Sequence, residues 1–319
     1  MRTSRPRAYV LHVKWTEDRL PSVTNRVAVV TGANSGIGWF AARELARHGM
    51  RVVLACRDVT KAEQAADRIR AGSSSADVEV AELNLASMIS VQKFADWWRG
   101  PLDLLVNNAG VMAPPKPAAT EDGFELQFGT NHLGHFVLTG LLLGDLLAAP
   151  APRVVTVASI AHFGGTDSVL EGNVGETYHP QRTYSNSKLA NLLFALQLQR
   201  MADERGLPVV SAAAHPGVSS TGLVSDRQGM GASPFMRNVA PLFVKAFTQS
   251  AKAGARPTLY AATAAEPGSY TGPQRFGETR GPIGPAKLSR FASDEDLARR
   301  LWLVSEELTG FRFPWPATD

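Results

Sequence analysis

The sequence predicts an α/β fold: a single-domain, doubly wound sheet of about seven parallel strands with helices on both faces. Short apolar runs alternate along the chain with segments of helical spacing, which is typical of such sheets. The first run is followed at once by a glycine-rich turn and a helix. A chain of 319 residues with 44% hydrophobic residues also suffices for one large core. The predicted strands are 27–31, 51–56, 78–84, 102–107, 153–159, 209–214 and a short piece near 269–271.

Helices are predicted between these strands, and three of them can be given bounds. One is expected over about 122–147. Another runs from Tyr184 to Met201, because its apolar residues follow helical spacing, at Leu189, Leu192, Leu193, Leu196 and Leu198. The third covers about 293–308, where Ser293 and Asp296 are predicted to form a capping box and Gly310 to end the helix.

The glycine-rich turn, TGANSGIG, lies between the first predicted strand and the first predicted helix. Gly32 permits the tight turn, and Gly36 lets the backbone approach a pyrophosphate. The N-terminus of the helix that follows, which begins with Trp39 and Phe40, directs N–H groups and a positive dipole toward the same place. The spacing Gly-x-x-x-Gly-x-Gly is a weak signal by itself and is compatible with a merely structural turn. Its position between a strand and a helix favours a dinucleotide site.

Tyr184 and Lys188 stand four residues apart in the run TYSNSKLAN. On a helix this spacing places both side chains on one face, so that the ammonium favours ionisation of the phenol. We therefore expect Lys188 to lower the pKa of Tyr184 toward neutral pH and to make it a proton donor and acceptor. A Tyr-x-x-x-Lys pair also occurs often by chance on helix surfaces, so the accompanying motifs decide its interpretation.

The motifs TGANSGIG and YSNSK occur together with NNAG at Asn107 to Gly110 and with Ser159. In this combination the chain resembles the short-chain dehydrogenase/reductase family. The likeness runs from about Trp15 to Phe313. Three further motifs, ACRD at 55–58, TNHLGHF at 130–136 and SKLAN at 187–191, resemble the branch that contains retinol dehydrogenase-like and protochlorophyllide reductase-like enzymes. The resemblance implies a preference for NADP(H) and a Rossmann-fold domain over residues 15–319, with a substrate-loop region at about 218–250. Residues 1–14 are then expected to form a flexible extension.

The choice of cofactor can also be argued from Arg57, which follows the second strand. An acidic residue there would hydrogen-bond a ribose 2′-hydroxyl, whereas a guanidinium offers a planar fork of donors to a 2′-phosphate. NADP(H) is therefore preferred, with Ser35 as a plausible second contact. The alternative is that Arg57 is only a solvated ion-pair partner of Asp58.

Other cofactor contacts are expected at the ends of later strands. Asn84 and Leu85 stand where the family usually has an aspartate before an aliphatic residue, so an altered adenine contact is expected there. The small residues after the fourth strand suit a close approach to nucleotide at the carboxyl edge of the sheet. The resemblance further implies that the loop after His215 holds the nicotinamide carboxamide. The full cofactor-binding prediction is Gly32, Asn34, Ser35, Gly36, Ile37, Gly38, Arg57, Asn84, Leu85, Asn108, Ala109, Gly110, Tyr184, Lys188, Pro216, Gly217, Val218 and Thr221.

The expected reaction is hydride transfer between nicotinamide and a carbonyl or alcohol, with Tyr184 as the general acid/base. Ser159 is expected to steady the substrate oxygen, and Lys188 to hold the nicotinamide ribose as well as the charge of the phenol. By resemblance, Asn131 orders a water that links Lys188 to solvent. Two alternatives remain: a non-catalytic NADP(H)-binding sensor, and an epimerase or dehydratase that retains its cofactor.

Other site types are less well supported. His132 and His135 lie three apart, but no Cys or carboxylate set completes a metal site, so none is predicted. Ser159 lacks the Gly-x-Ser-x-Gly context of a hydrolase. The net charge is +4, but the basic residues are scattered among 29 acidic ones, so no nucleic-acid partner is expected. No apolar stretch is long enough for a membrane span.

The single cysteine, Cys56, fits a reducing compartment, and a cytoplasmic location is expected. The substrate is expected to be a small, lipophilic carbonyl or alcohol compound, because residues 219–249 are rich in apolar side chains; these would equally bury one face of a helix. Phe163 and Tyr178 are further candidates for the pocket. A homodimer or homotetramer is possible.

Overall fold

The computed structural model describes residues 15–172, 178–218 and 249–317. Its centre is one sheet of eight strands in the order β3-β2-β1-β4-β5-β6-β7-β8. Neighbouring strands from β3 to β7 are parallel, whereas β8 pairs with β7 in the antiparallel sense. The strands are β1 (Val27–Thr31), β2 (Arg51–Cys56), β3 (Val78–Glu82), β4 (Leu104–Asn107), β5 (Arg153–Val157), β6 (Val210–Ala214), β7 (Tyr270–Arg275) and β8 (Arg280–Pro285).

Helices cover both faces of this sheet. The described helices are α1 (Gly36–Arg47), α2 (Val59–Gly72), α3 (Met88–Trp97), α4 (Leu126–Phe128), α5 (Gly134–Leu141), α6 (Leu143–Leu147), α7 (Pro180–Glu204), α8 (Ala251–Thr263) and α9 (Glu295–Thr309). A π-helical turn, Gly129–Leu133, joins α4 to α5, and short 3₁₀ turns occur at Glu17–Arg19, Ile160–Gly164 and Asp167–Glu171.

The inner strand β1 is apolar and buried on both faces because helices cover both faces of the sheet. Along β1, Ala28 and Val30 pack into the cluster that contains α1, α2 and α8, whereas Val29 packs into the opposite cluster with α3, α5 and α6. Successive side chains of a strand point to opposite faces, so one short apolar run contributes to two cores. The order of the strands reverses between β1 and β4, which creates a crevice at the carboxyl ends of these strands.

The predicted fold class and its seven parallel strands are confirmed, and the structure adds an eighth strand that the sequence analysis missed. The segment RGPIGP of β8 contains two prolines and two glycines, which do not read as a strand. Such residues are tolerated at a sheet edge, where one side of the strand needs no hydrogen bonds to a neighbour.

Two helix predictions were wrong in detail. The single helix predicted over 122–147 is broken by the π-helical turn and again between α5 and α6. The predicted capping box at Ser293 and Asp296 is also wrong, because the N-cap of α9 is Asp294, whose side chain accepts a hydrogen bond from Leu297 N at 3.0 Å. Gly310 does end this helix, with a φ of 64°. Residues 1–14 and nearly all of the substrate-loop region lie outside the described residues.

Among the described residues, no helix combines the length and the apolar character needed to cross a membrane.

Candidate active site

The glycine turn after β1 is held against the loop after β4 by close backbone contacts. Gly32 has a φ of 66°, and a Cβ there would lie 2.9 Å from the Cα of Ala109. A Cβ on Gly38 would overlap the Asn108 side chain and lie 2.7 Å from Gly32 O. Only glycine fits at both positions without displacing backbone. The two loops therefore form one surface at the carboxyl edge of the sheet.

Thr31, the last residue of β1, organises this surface. Its Oγ1 accepts hydrogen bonds from Asn108 N at 2.9 Å and Ala109 N at 3.0 Å. The Asn108 amide donates to Thr31 O at 2.8 Å. Thr31 was not among the predicted site residues, although a polar residue at the end of a buried strand was a usable signal.

The N-terminus of α1 lies at Gly36, whose φ is 58°, and Ser35 is its N-cap. Within the part of the chain that the structure describes, the Ser35 side chain makes no capping hydrogen bond. The first N–H groups of an α-helix have no partner inside the helix and carry its positive dipole. This end of α1, with Ile37 in its first turn, is therefore suited to an anion such as a pyrophosphate.

Arg57 is exposed directly after β2, as the cofactor prediction requires. Its neighbour Asp58 caps α2 by accepting from Lys61 N at 3.0 Å and pairs with Lys61 Nζ at 2.7 Å. The hydrogen bonds from Lys61 are the main reason why the pKa of Asp58 lies below its usual value. Lys61 is thus the main ionic partner of Asp58, and the charge of Arg57 lowers the pKa of Asp58 by a smaller amount.

Asn84 and Leu85 lie after β3 and occupy structural positions. Asn84 Oδ1 accepts from Ala86 N at 3.1 Å, and its Nδ2 donates to Glu121 Oε1 at 3.1 Å. Leu85 is buried, and its carbonyl packs close to Gly134 at the start of α5. The expected adenine contact at this pair remains a prediction.

The π-helical turn carries Asn131 into the interior, where it is fully buried. Its Oδ1 accepts from Val111 N at 2.7 Å, and its Nδ2 donates to Val111 O at 3.0 Å and to Ser187 Oγ at 2.9 Å. This asparagine joins the loop after β4 to helix α7. Ser187 is a further site residue that the sequence analysis did not assign.

Tyr184, Lys188 and Ser159 are brought together, as predicted. The Tyr184 hydroxyl shares a hydrogen bond with the Ser159 side chain, and Lys188 Nζ lies 5.8 Å from the centre of the Tyr184 ring. Lys188 Nζ also donates to Val157 O at 3.2 Å at the end of β5. A Cβ on Gly110 would lie 3.0 Å from Asn131 Oδ1 and 3.5 Å from Lys188 Nζ. The catalytic candidates therefore border the same loop that contacts the glycine turn.

The predicted lowering of the Tyr184 pKa is wrong for the chain by itself. Burial raises the pKa of Tyr184 to about 12, and the hydrogen bond from Ser159 opposes this only in part. Burial also lowers the pKa of Lys188 to about 8. Helical spacing correctly placed the two side chains together, but it does not reveal that both are removed from solvent.

The loop after β6 is fixed at several points. Gly217, with a φ of 66°, donates its N–H to His215 Nδ1 at 3.2 Å, and Val218 N donates to Thr279 O at 3.0 Å. Pro216 O accepts from the Gln249 side chain. Thr221, the last member of the predicted cofactor set, lies outside the described residues.

The remaining candidates have structural contacts. His132 Nε2 bonds Ser305 Oγ at 2.8 Å, and His135 Nε2 bonds Thr31 Oγ1 at 2.9 Å, so both rings pack as polar members of the core. Tyr178 donates to Pro114 O at 2.8 Å, whereas Phe163 is 51% exposed. In the described ranges, no group of three or more His, Cys, Asp or Glu residues could hold a metal ion.

Comparison with known proteins agrees with this geometry. The family model described as short chain dehydrogenase matches residues 26–230, which include the glycine turn, Ser159, Tyr184 and Lys188. The chain belongs to the short-chain dehydrogenase family. It is an oxidoreductase that acts on alcohol or carbonyl substrates and binds a nicotinamide cofactor of the NAD(P) type.

Two curated relatives place the chain in the retinol dehydrogenase-like branch of this family. It is 43% identical to polyprenol dehydrogenase of Mus musculus, over 91% of this chain and 86% of the mouse protein. It is 38% identical to retinol dehydrogenase 13 of Homo sapiens, over 92% of this chain and 87% of the human protein. The predicted resemblance is thereby confirmed.

A crystal structure of an uncharacterized protein from Mycobacterium paratuberculosis has the same fold. The two chains are 43% identical and superimpose with a TM-score of 0.78, over 95% of this chain and 100% of the other.

Proposed function

We propose that this short-chain dehydrogenase uses NADP(H) to interconvert a lipophilic carbonyl compound and its alcohol, with Tyr184 as the general acid/base. The observation that carries the proposal is the hydrogen bond between Tyr184 and Ser159, beside the buried Lys188 and next to the loop that contacts the glycine turn. A proton donor and an oxygen-binding hydroxyl are thus held together at the edge of a nucleotide crevice.

The residues at the crevice fit a dinucleotide. Gly32 and Gly38 leave a cradle that a Cβ would fill, and the N-terminus of α1 offers N–H groups to a pyrophosphate. Arg57 would hold the 2′-phosphate, Lys188 the nicotinamide ribose, and Pro216 to Thr221 the carboxamide. When bound, NADPH supplies the hydride for reduction, and NADP⁺ accepts it in the reverse direction.

The remaining steps belong to the chain's own side chains. Ser159 donates a hydrogen bond to the substrate oxygen and steadies the charge that develops there. Tyr184 gives its proton to that oxygen during reduction and takes it back during oxidation. Asn131, with its contacts to Val111 and Ser187, would order the water that resupplies the proton through Lys188.

Burial keeps Tyr184 protonated in the chain by itself. A phenol with a pKa of about 12 holds its proton at pH 7 but gives it up less readily than an ordinary phenol, whereas efficient acid catalysis calls for a pKa nearer the working pH. Lys188, with a pKa of about 8, remains mostly charged at this pH. Ionisation of Tyr184, which oxidation requires, needs more positive charge near the phenol than the chain alone provides.

The substrate class is inferred from the relatives. Retinol and polyprenol, in the names of the two curated relatives, are both lipophilic alcohols with unsaturated chains. A substrate of the same class is proposed here, and the apolar composition of residues 219–248 is consistent with it.

A screen that follows nicotinamide absorbance would test the proposal. Retinaldehyde, a polyprenal and a short polar aldehyde are each assayed with NADPH and with NADH, using the wild type and Tyr184→Phe. We expect turnover of the lipophilic aldehydes with NADPH and a loss of at least about 10²-fold in the variant. Equal use of both cofactors would refute the NADP(H) preference. Stoichiometric NADPH binding without turnover of any carbonyl or alcohol would favour a sensor instead.

A further inference from the structure

Arg68, on helix α2, reaches the glycine turn. Its Nη2 donates to Asn34 O at 3.4 Å. The guanidinium lies over the ring of Trp39, 4.9 Å from the ring centre, and this ring is itself fixed by a hydrogen bond from Nε1 to Ala65 O at 3.0 Å. An exposed arginine usually samples many rotamers, but here stacking and a hydrogen bond hold the charged group at the turn.

A second arginine approaches the same turn from strand β2. The Cys56 thiol, at the end of β2, has hydrogen bonds to the backbone of Ala33 and Asn34, so this strand end lies against the turn. Arg57 is the next residue. The nearby carboxylate of Asp58 is neutralised by Lys61 at 2.7 Å and by the N-terminus of α2. Arg68 and the residue that follows Cys56, Arg57, are therefore both positioned near Asn34, and the carboxylate next to Arg57 is already paired with Lys61.

We propose that Arg68 is a specificity-determining residue that binds the 2′-phosphate of NADP(H) together with Arg57, an inference that rests on the proposed preference for NADP(H). A guanidinium carries five N–H donors in one plane. Stacking on Trp39 uses the face of that plane, and the bond to Asn34 uses one donor, so further donors along its edge are directed past the turn. Two arginines, one after β2 and one on α2, then bind the 2′-phosphate. NAD(H) has an uncharged 2′-hydroxyl in its place.

Arg43 provides a matched control for the stacking. Its guanidinium also lies over the Trp39 ring, at 5.1 Å, but its hydrogen bonds go to Glu44 on α1. Both Arg43→Ala and Arg68→Ala remove a cation from the same indole. Only the second removes a donor from the glycine turn. Arg43→Ala should lower Tm more than Arg68→Ala, because it also removes an ion pair of the buried Glu44, so a selective loss of affinity in Arg68→Ala cannot be attributed to lower stability.

The test measures binding of 2′,5′-ADP and of ADP by calorimetry, which needs neither substrate nor turnover. For Arg68→Ala we expect the Kd of 2′,5′-ADP to rise about tenfold, as for loss of one charge-assisted contact, with the Kd of ADP changed less than twofold. Arg43→Ala should change neither Kd by more than twofold. Added salt should weaken 2′,5′-ADP binding to the wild type more steeply than to Arg68→Ala.

Two different failures can be told apart. If the wild type binds 2′,5′-ADP no more tightly than ADP, the preference for NADP(H) itself is refuted. In the second case, the wild type binds 2′,5′-ADP more tightly than ADP, and Arg68→Ala either keeps the same preference or binds both ligands more weakly to the same extent. Either result refutes the role of Arg68 and leaves that of Arg57 standing.

Discussion

Two sides of the crevice hold their functional groups by different means. On the glycine side, formed by residues 32–38 with Asn108 and Ala109, backbone atoms and missing side chains create the surface. On the tyrosine side, formed by Asn131, Ser159, Tyr184 and Lys188, mostly buried polar side chains create it. The first side depends on local shape. The second depends on contacts between residues far apart in the sequence, such as those of Asn131 to Val111 and to Ser187, and on charges removed from water.

The difference predicts that substitutions on the two sides damage different steps. A group that touches only the reacting oxygen contributes to the rate, whereas a residue that shapes the nucleotide cradle contributes to cofactor affinity.

The largest effect is expected for Ser159→Ala. Because Ser159 is proposed to hydrogen-bond the substrate oxygen and is bonded to Tyr184, its removal should lower kcat by about 10²–10³-fold. The Kd of NADPH, measured by fluorescence titration, should change less than twofold. Ser159→Thr keeps a hydroxyl and should retain more activity than the alanine variant. A loss of NADPH affinity as large as the loss of rate would erase the distinction between the two sides.

Acid should destabilise the framework of the tyrosine side. Burial lowers the pKa of His132 to about 3 and that of His135 to about 4, from an ordinary value of 6.5. The unfolded chain therefore binds protons below pH 6.5 that the folded chain does not. The stability that the two neutral histidines contribute is therefore fully present above pH 6.5. It is lost progressively as the pH falls toward their pKa values in the folded chain. The pair should reduce the free energy of unfolding by about 3–4 kcal/mol between pH 7 and pH 5.

Urea denaturation at pH 7 and at pH 5 would measure this dependence of the free energy of unfolding on pH. His132→Gln keeps a polar partner for Ser305 and should remove about half of the pair's contribution. His179→Gln, at an exposed position before α7, controls for the loss of one imidazole from the chain. If His132→Gln leaves the pH dependence of the free energy of unfolding unchanged, the His132 ring is protonated as easily in the folded chain as in the unfolded chain.

On the glycine side, Gly38→Ala should act on binding. The added Cβ would overlap the Asn108 side chain and press on Gly32 O, so the turn must move. Overpacking of this kind costs about 1–3 kcal/mol, which corresponds to a rise in the Kd of NADPH of about 5- to 150-fold. The rate at saturating NADPH should fall much less. Gly72→Ala is the control, because a Cβ there meets nothing within 4 Å.

The two sides were also unequally predictable from the sequence. The glycine side follows from local signals: strands β1 and β2 have the predicted bounds, and the glycines stand where only glycine fits. On the tyrosine side, residue identities were found through motifs, but not their surroundings. The π-helical turn at Asn131 depends on Val111, twenty residues earlier in the chain, and no periodicity announces such a contact.

Errors at other points have the same origin. The pKa of Tyr184 is set by burial, which a four-residue spacing does not report. Strand β8 exists because β7 offers it an edge, although its own sequence disfavours a strand. At the start of α9, three polar residues compete for the cap, and the local pattern selected Ser293 where the structure uses Asp294. Local interactions could be predicted from the sequence, whereas burial and contacts between distant segments could not.

The smallest expected effect concerns Asn84, a side chain after β3 that belongs to neither of the two sides defined above. Asn84→Asp keeps the acceptor for Ala86 N but places a second carboxylate about where Nδ2 now donates to Glu121, at 3.1 Å. At this solvent-accessible site, the repulsion should lower the free energy of unfolding by about 1 kcal/mol. Adding Glu121→Gln should restore it, and the double-mutant cycle isolates the pair. NADPH affinity should change less than twofold in both variants, because a carboxylate can accept the adenine hydrogen bond predicted at this position as the amide oxygen does. A large loss of affinity in Asn84→Asp, retained after Glu121→Gln, would show that the predicted adenine contact needs the donor of the amide.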